Sequence, residues 1–220
     1  MLFIFDIDDT LVDTSATITP YRVQKALQKL VEKGLVTDLE TASQEMAFFQ
    51  KKARTSKEAL QAFFQKHHLP LSHLTFALDA LYKDDLAPDT PVRTTPFAVE
   101  TLQALSSYPL YIVSKGYDYL QHQKLEKAGI DTAIFCKILI DNVGNKGLFY
   151  QKILNENPST AVMVGDQVEG DLLPAKKLGL WTVHMRWGRG VIPSQNPCVD
   201  FQISELKEML PIVPMIEGRV

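Results

Sequence analysis

Three carboxylates fall within four positions near the start of the chain, in Phe3-Ile4-Phe5-Asp6-Ile7-Asp8-Asp9-Thr10. The apolar run Leu2 to Phe5 leads straight into them. Short runs of bulky and β-branched residues form buried strands, so Asp6, Asp8 and Asp9 are expected at a strand's C-terminal end. Open parallel α/β sheets bind their ligands at that end. Carboxylates crowded there repel one another, and hold still only if a cation neutralises them or if some take up protons. Hard oxygen donors of this kind suit Mg²⁺.

The elements that must position this cluster alternate between strand and helix after Pro96. Phe97 to Ser107 reads as an amphipathic helix, and Leu110 to Val113 as a buried strand ending at Ser114-Lys115-Gly116. Tyr117 to Ala128 is expected to be helical, Ile134 to Ile138 a strand and Gly147 to Asn155 a helix. Ala161 to Val164 is a strand ending at Gly165-Asp166, followed by a helix over Leu172 to Leu178 and a strand over Trp181 to Met185. A short strand, Val199 to Ile203, and a helix, Ser204 to Leu210, close the chain. Such alternation implies right-handed crossovers and an α/β, Rossmann-like, mostly parallel sheet covered by helices.

Between the acidic strand and this pattern lies a different stretch. Thr19 is expected to N-cap a first helix with Pro20 at its first position and Gly34 at its end. Leu39 to Arg54, a third helix capped by Thr55 or Ser56, and Leu71 to Leu81 follow, with apolar residues at helical spacing. Short amphipathic helices joined by short turns form a small bundle. The expected organisation is a core of residues 1–15 and 90–220 with an all-helical domain, 16–89, inserted after the first strand.

Composition excludes several classes. The chain has 220 residues, 45% hydrophobic and 22% charged, enough for a buried core. A formal charge of −3 argues against nucleic acid as the main partner. No apolar stretch approaches membrane-spanning length, and Asp6 interrupts the N-terminal apolar run, so neither a membrane anchor nor a signal peptide is expected. The two cysteines, Cys136 and Cys198, form neither a disulfide framework nor a metal cluster; free thiols fit a cytoplasmic protein.

Asp6-Ile7-Asp8-Asp9-Thr10 resembles DxDxT, the first motif of the haloacid dehalogenase (HAD) superfamily of phosphohydrolases. Its partners follow in order. Ser114 ends a strand where the second motif has Thr or Ser, with Lys115 in place of the usual Asn. Its hydroxyl, with N–H groups of Lys115 and Gly116 before the next helix, can hold a phosphoryl oxygen. Lys146, 20 positions ahead of Asp166 (166 − 146), stands where the third motif has its lysine; Gly147 replaces a frequent Pro, and Lys137 and Lys152 are rivals. Gly165-Asp166-Gln167-Val168-Glu169-Gly170-Asp171 matches the fourth motif, GDxxxxD.

The resemblance implies a mechanism. Asp6 would attack phosphorus to give an aspartyl-phosphate, and Asp8, its pKa raised by carboxylate neighbours, would serve as acid and base. Mg²⁺ would be held by Asp6, the Asp8 carbonyl and Asp166, with Asp171 acting through water. Lys146 would pair with the nucleophile and the phosphate. The helical insert resembles the family's cap, which implies a small phosphorylated metabolite as substrate. Phe48, Phe49, Arg54 and His67 in the insert, and Trp187 and Arg189 after a core strand, are candidate pocket residues. A phosphomutase shares every motif. A non-enzymatic phosphoacceptor module also uses acids, a hydroxyl and a lysine, but neither the insert nor GDxxxxD suits it. A haloalkanoic dehalogenase would need neither Asp8 nor Asp166.

Overall fold

The computed structural model describes residues 1–53, 55–188 and 196–218. The chain divides into two compact units, Met1–Ser15 with Pro91–Val220, and Ala16–Thr90.

The first unit is built on a six-stranded sheet: β1 (Leu2–Phe5), β2 (Leu110–Lys115), β3 (Phe135–Asp141), β4 (Ala161–Gly165), β5 (Trp181–Met185) and β6 (Phe201–Ile203). All neighbours are parallel, in the order β3-β2-β1-β4-β5-β6. Phe5 pairs with Ile112 on one side and Val164 on the other. Strand order therefore reverses between β1 and β4, the place where open α/β sheets form a ligand crevice. Every residue of β1 and β4 is buried, as unbroken apolar strands require. Alternate side chains point to opposite faces. Leu2, Ile4, Val113 and Met163 pack with Tyr150, Ile153, Leu172 and Ala175 in one cluster.

Some boundaries differ from the sequence reading, each for a local reason. Thr132–Ile134 forms a 3₁₀ turn capped by the Asp131 carboxylate, and the following strand runs on to Asp141. The expected helix at Leu172 begins earlier, as a π-helical turn over Val168–Leu172 that runs into Leu173–Lys177. At the C-terminal end, a 3₁₀ segment over Leu206–Met209 precedes a helix over Ile212–Glu217, Pro211 sitting at the latter's N-cap.

The second unit packs four helices: α1 (Ile18–Glu32), α2 (Leu39–Lys52), α3 (Ser56–Lys66) and α4 (Leu74–Tyr82), the last preceded by a 3₁₀ turn, Leu71–His73; the next helices, in the first unit, are α5 (Ala98–Ala104), α6 (Asp118–Lys127) and α7 (Lys146–Glu156). Asp38 accepts from the Glu40 and Thr41 N–H groups, and Thr55 from that of Glu58. The first cap is Thr17 rather than Thr19. Pro20 is tolerated inside the first turn because its missing N–H would have had no helical partner there. Leu27, Leu30, Met46, Leu60, Phe63, Phe64 and Leu81 form the buried core. Arg22, also buried, donates to the Leu81 and Asp84 carbonyls at 2.6 and 2.5 Å and closes the end of α4.

Two candidate pocket residues belong to this packing. Phe49 stacks edge-on against Phe63, and His67 lies on Phe63 while contacting Glu45. Phe48 is exposed beneath the Lys52 ammonium, and Arg54 lies outside the described residues. Among the described residues no helix is long and apolar enough to cross a membrane.

Phe63→Ala should destabilise the helical unit by about 3–5 kcal/mol, the usual cost of a large cavity. Urea-dependent hydrogen exchange should show protection lost in α1–α4 and retained in β1 and β4; unchanged protection in α1–α4 would show that Phe63 is not its core.

Candidate active site

β1 ends at Phe5, so Asp6 emerges at the reversal point; Asp166 follows β4 directly, one strand away. The turn after Asp166 brings in the third acid. Its wide π-helical hydrogen bonding returns Asp171 toward the strand: the Leu172 N–H donates to the Gln167 carbonyl at 3.3 Å, and Asp171 Oδ2 accepts from the Gln167 N–H at 3.0 Å. Carboxylate oxygens of Asp6, Asp166 and Asp171 all lie within 4.8 Å of one another, and all three residues are buried. The glycine of the motif is explained by this approach. A Cβ on Gly165 would lie 2.5 Å from Asp171 Oδ2.

Lys146, the first residue of α7 (Lys146–Glu156), supplies the cation. Its Nζ donates to Asp6 Oδ1 and to Asp171 Oδ1, at 2.6 Å each, and only 7% of it is exposed. Lys137 and Lys152 are both exposed, the former paired with Glu156. Lys146 is therefore the lysine that the structure brings to Asp6. Burial lowers its pKa, but Asp171 and Asp6 more than compensate and hold it well above the usual lysine value. One ammonium does not balance three carboxylates. Burial pushes Asp6 up to about 6 despite Lys146, with Asp171 and Asp8 adding to the rise. Asp166 is also raised well above the usual value, by burial, Asp171 and Asp6, and its Oδ1 is buried without a hydrogen-bond partner. His184 donates from Nε2 to the Asp166 carbonyl at 3.0 Å, fixing that peptide.

Asp8 differs from the sequence expectation. Its carboxylate is outside the three-acid cluster, and burial is outweighed by Lys124, Thr14 and Gln121, which hold its pKa below the ordinary value. Lys124 Nζ is 2.6 Å from Oδ1, Thr14 donates to the same oxygen, and Gln121 Nε2 is 3.0 Å from Oδ2. The carboxylate neighbours thus act on Asp6 and Asp166 rather than on Asp8. Asp171 joins Asp6 and Asp166. Its oxygens share the 4.8 Å cluster with those of Asp6 and Asp166, and one of them is held by Lys146.

Ser114, at the end of β2, is buried, its Oγ 2.9 Å from Gln121 Nε2. Lys115 is exposed, with its ammonium over Gly144; Gly116 accepts no Cβ comfortably because Gln121 lies 3.3 Å away. Asp9 takes the left-handed conformation, φ 56°, and accepts from the Ser15 N–H at 2.8 Å and from its hydroxyl. Asp9 thus orders the turn. Trp187 donates from Nε1 to Asp13 at 2.9 Å, and Arg189 lies outside the described residues.

Thr14, Gln121, Lys124 and His184 were not singled out from sequence. Gln121 and Lys124 carry one readable signal. They share the stripe of α6 (Asp118–Lys127) defined by the buried Leu120 and Leu125, where polar residues are out of place.

The charge imbalance sets a pH dependence for the metal-free protein. A carboxylate raised on folding stabilises the fold below its unfolded pKa and loses that contribution as pH rises through its folded value. For Asp6 the window runs from 3.8 to about 6. Asp6→Asn should therefore raise the melting temperature in EDTA at pH 7.5 and leave it nearly unchanged at pH 3.5. A drop at pH 7.5 would show that ionised Asp6 is net stabilising.

Comparison with known proteins agrees with this fold. Residues 1–179 match a family described as haloacid dehalogenase-like hydrolase. A glyceraldehyde 3-phosphate phosphatase from Pyrococcus furiosus is 26% identical over 97% of this chain and 93% of its own. Another of that name, from Methanopyrus kandleri, is 28% identical over 96% and 95%. A HAD phosphatase structure from Thermococcus onnurineus superposes with a TM-score of 0.63 at 24% identity, covering 96% of this chain and 97% of that one. A HAD-hydrolase from Bacillus subtilis, solved bound to magnesium, gives 0.66 at 18% identity, covering 96% and 97%. With Asp6 and Asp166 at the sheet's reversal point, Lys146 and Asp171 brought to them, and a match over residues 1–179, the chain belongs to the haloacid dehalogenase-like hydrolases.

Proposed function

We propose that this chain is a Mg²⁺-dependent phosphatase that cleaves small phosphomonoesters through an aspartyl-phosphate on Asp6. The observation that carries the reading is the excess of buried negative charge: three acids within 4.8 Å, one lysine, and an unpartnered oxygen on Asp166. That donor set fits a hard divalent cation held by Asp6, Asp166 and the Asp8 carbonyl, with Asp171 steadying the site. When bound, Mg²⁺ would neutralise the acids and lower their repulsion for an incoming phosphate.

The remaining chemistry lies on side chains. Lys146 holds Asp6 Oδ1, which leaves Oδ2 as the oxygen to attack phosphorus. Ser114 Oγ is the donor for a phosphoryl oxygen, whereas the Gly116 N–H is already taken by the Asp141 carbonyl at 3.0 Å. Asp8, joined to Ser114 through Gln121 and ionised in the free site, takes a proton from the monoanionic ester as it binds, gives it to the leaving alcohol and later takes one from the water that hydrolyses the Asp6 acyl-phosphate. The helical unit, 16–90, serves as the cap that selects the substrate. The names carried by the Pyrococcus and Methanopyrus relatives make glyceraldehyde 3-phosphate and related triose phosphates the first substrates to test.

Sustained turnover of p-nitrophenyl phosphate with Mg²⁺, abolished by EDTA and restored by Mg²⁺, is expected. Asp6→Asn should reduce kcat by at least about 10³-fold while the protein stays folded. Full activity in EDTA would remove the metal from the account. A single stoichiometric burst would identify a phosphoacceptor instead. Replacement of residues 16–90 by a Gly/Ser linker should leave Mg²⁺-dependent cleavage of p-nitrophenyl phosphate and abolish selectivity among metabolite phosphates; retained selectivity would place specificity on the core loops, Lys115 first.

A further inference from the structure

We infer that Gln121 and Lys124, on one face of α6, are positioning residues that fix the Asp8 carboxylate beside the Ser114 hydroxyl for the acid–base half of the reaction. The inference rests on the phosphatase reading above.

The two residues are three apart, so one helical face presents both. They divide the carboxylate between them. Lys124 Nζ takes Asp8 Oδ1 at 2.6 Å, and Gln121 Nε2 takes Oδ2 at 3.0 Å. Thr14 completes Oδ1 at 2.5 Å. With each oxygen held from a different direction, the carboxylate cannot rotate toward Asp6, Asp166 and Asp171. This is why it stays apart from the three acids although only one residue separates it from Asp6.

Gln121 does a second thing. Its Nε2 also lies 2.9 Å from Ser114 Oγ and 2.8 Å from the Lys115 carbonyl. All three neighbours can accept, which fixes the amide orientation, and its own Oε1 is buried without a partner. An amide nitrogen has two protons, so three acceptors share them. A serine oxygen that accepts from Gln121 must aim its own proton elsewhere, and a phosphoryl oxygen is the acceptor the proposed reaction brings. Gln121 therefore sets the hydroxyl to donate while it holds the acid. Gly116 makes room for this, since a Cβ there would lie 3.3 Å from Nε2.

A purely structural staple is the competing explanation. Leu120 and Leu125 already bury the inner stripe of α6. A largely buried ion pair is a poor source of stability compared with apolar packing of the same volume. What the pair provides is orientation of one carboxylate.

The test uses leaving-group dependence, which a staple would not alter. kcat/KM reports phosphoryl transfer from ester to Asp6, and phenolate leaves less readily than p-nitrophenolate without a proton. Lys124→Met should lower kcat/KM for phenyl phosphate about tenfold more than for p-nitrophenyl phosphate, and Lys124→Arg should restore most of the loss. In an Asp8→Asn background Lys124→Met should add less than about twofold, because the group it positions is gone. Gln121→Met should show the same leaving-group bias and, through Ser114, weaker competitive inhibition by inorganic phosphate. It carries the test alone if Lys124→Met does not fold. Equal losses on both esters, or full additivity with Asp8→Asn, would overturn the inference while leaving the phosphatase reading intact. Wild-type protein with no turnover of either ester would overturn both.

Discussion

The fork from Lys146 to Asp6 and Asp171 is the interaction on which the site depends. Three carboxylates brought to one buried strand end would repel strongly, and each would rather take a proton than remain charged. One buried ammonium at 2.6 Å from two of them makes the arrangement tolerable but not neutral. The residual charge is visible in the raised Asp6 and Asp166 and in the unpartnered Asp166 oxygen. Removing the Lys146 ammonium would leave the buried acids uncompensated, which is costly. The fold holds this arrangement because β1 and β4 are neighbours and wholly apolar, so the acids can project only from their ends.

The same strand ends create two electrostatic environments a few residues apart. Asp6 and Asp166 lie among acids and are pushed up; Asp8 lies among donors from α6 and from Thr14 and is held down. Separating neighbouring carboxylates in this way gives them different tasks. The device that separates them is a helix, α6, which the acid motif itself does not contain.

Much of this was legible in the sequence because it depends on strands alone. A run such as Ala161-Val162-Met163-Val164 followed by Gly165-Asp166 fixes where the acid emerges, whatever the rest does. The motif spacings likewise placed Ser114 and Lys146. Three features were not legible. The π-helical turn that brings Asp171 to Asp6 and Asp166 depends on hydrogen bonds, not composition. The rotation of α6 that presents Gln121 and Lys124 to Asp8 requires knowing which strand end the helix crosses. The cap at Thr17 rather than Thr19 shows that a Pro marks a helix's first turn and not one position within it.

Asp6 is the proposed phosphoryl acceptor, and the arrangement of the other acids follows from that role. The most direct measurement is a crystal structure grown with Mg²⁺ and beryllium trifluoride, an acyl-phosphate mimic. Beryllium bonded to an Asp6 carboxylate oxygen, with a fluorine near Ser114 Oγ and another near Lys146 Nζ, is the predicted result. Beryllium on Asp8 or Asp166, or none on any aspartate of the cluster, would contradict it.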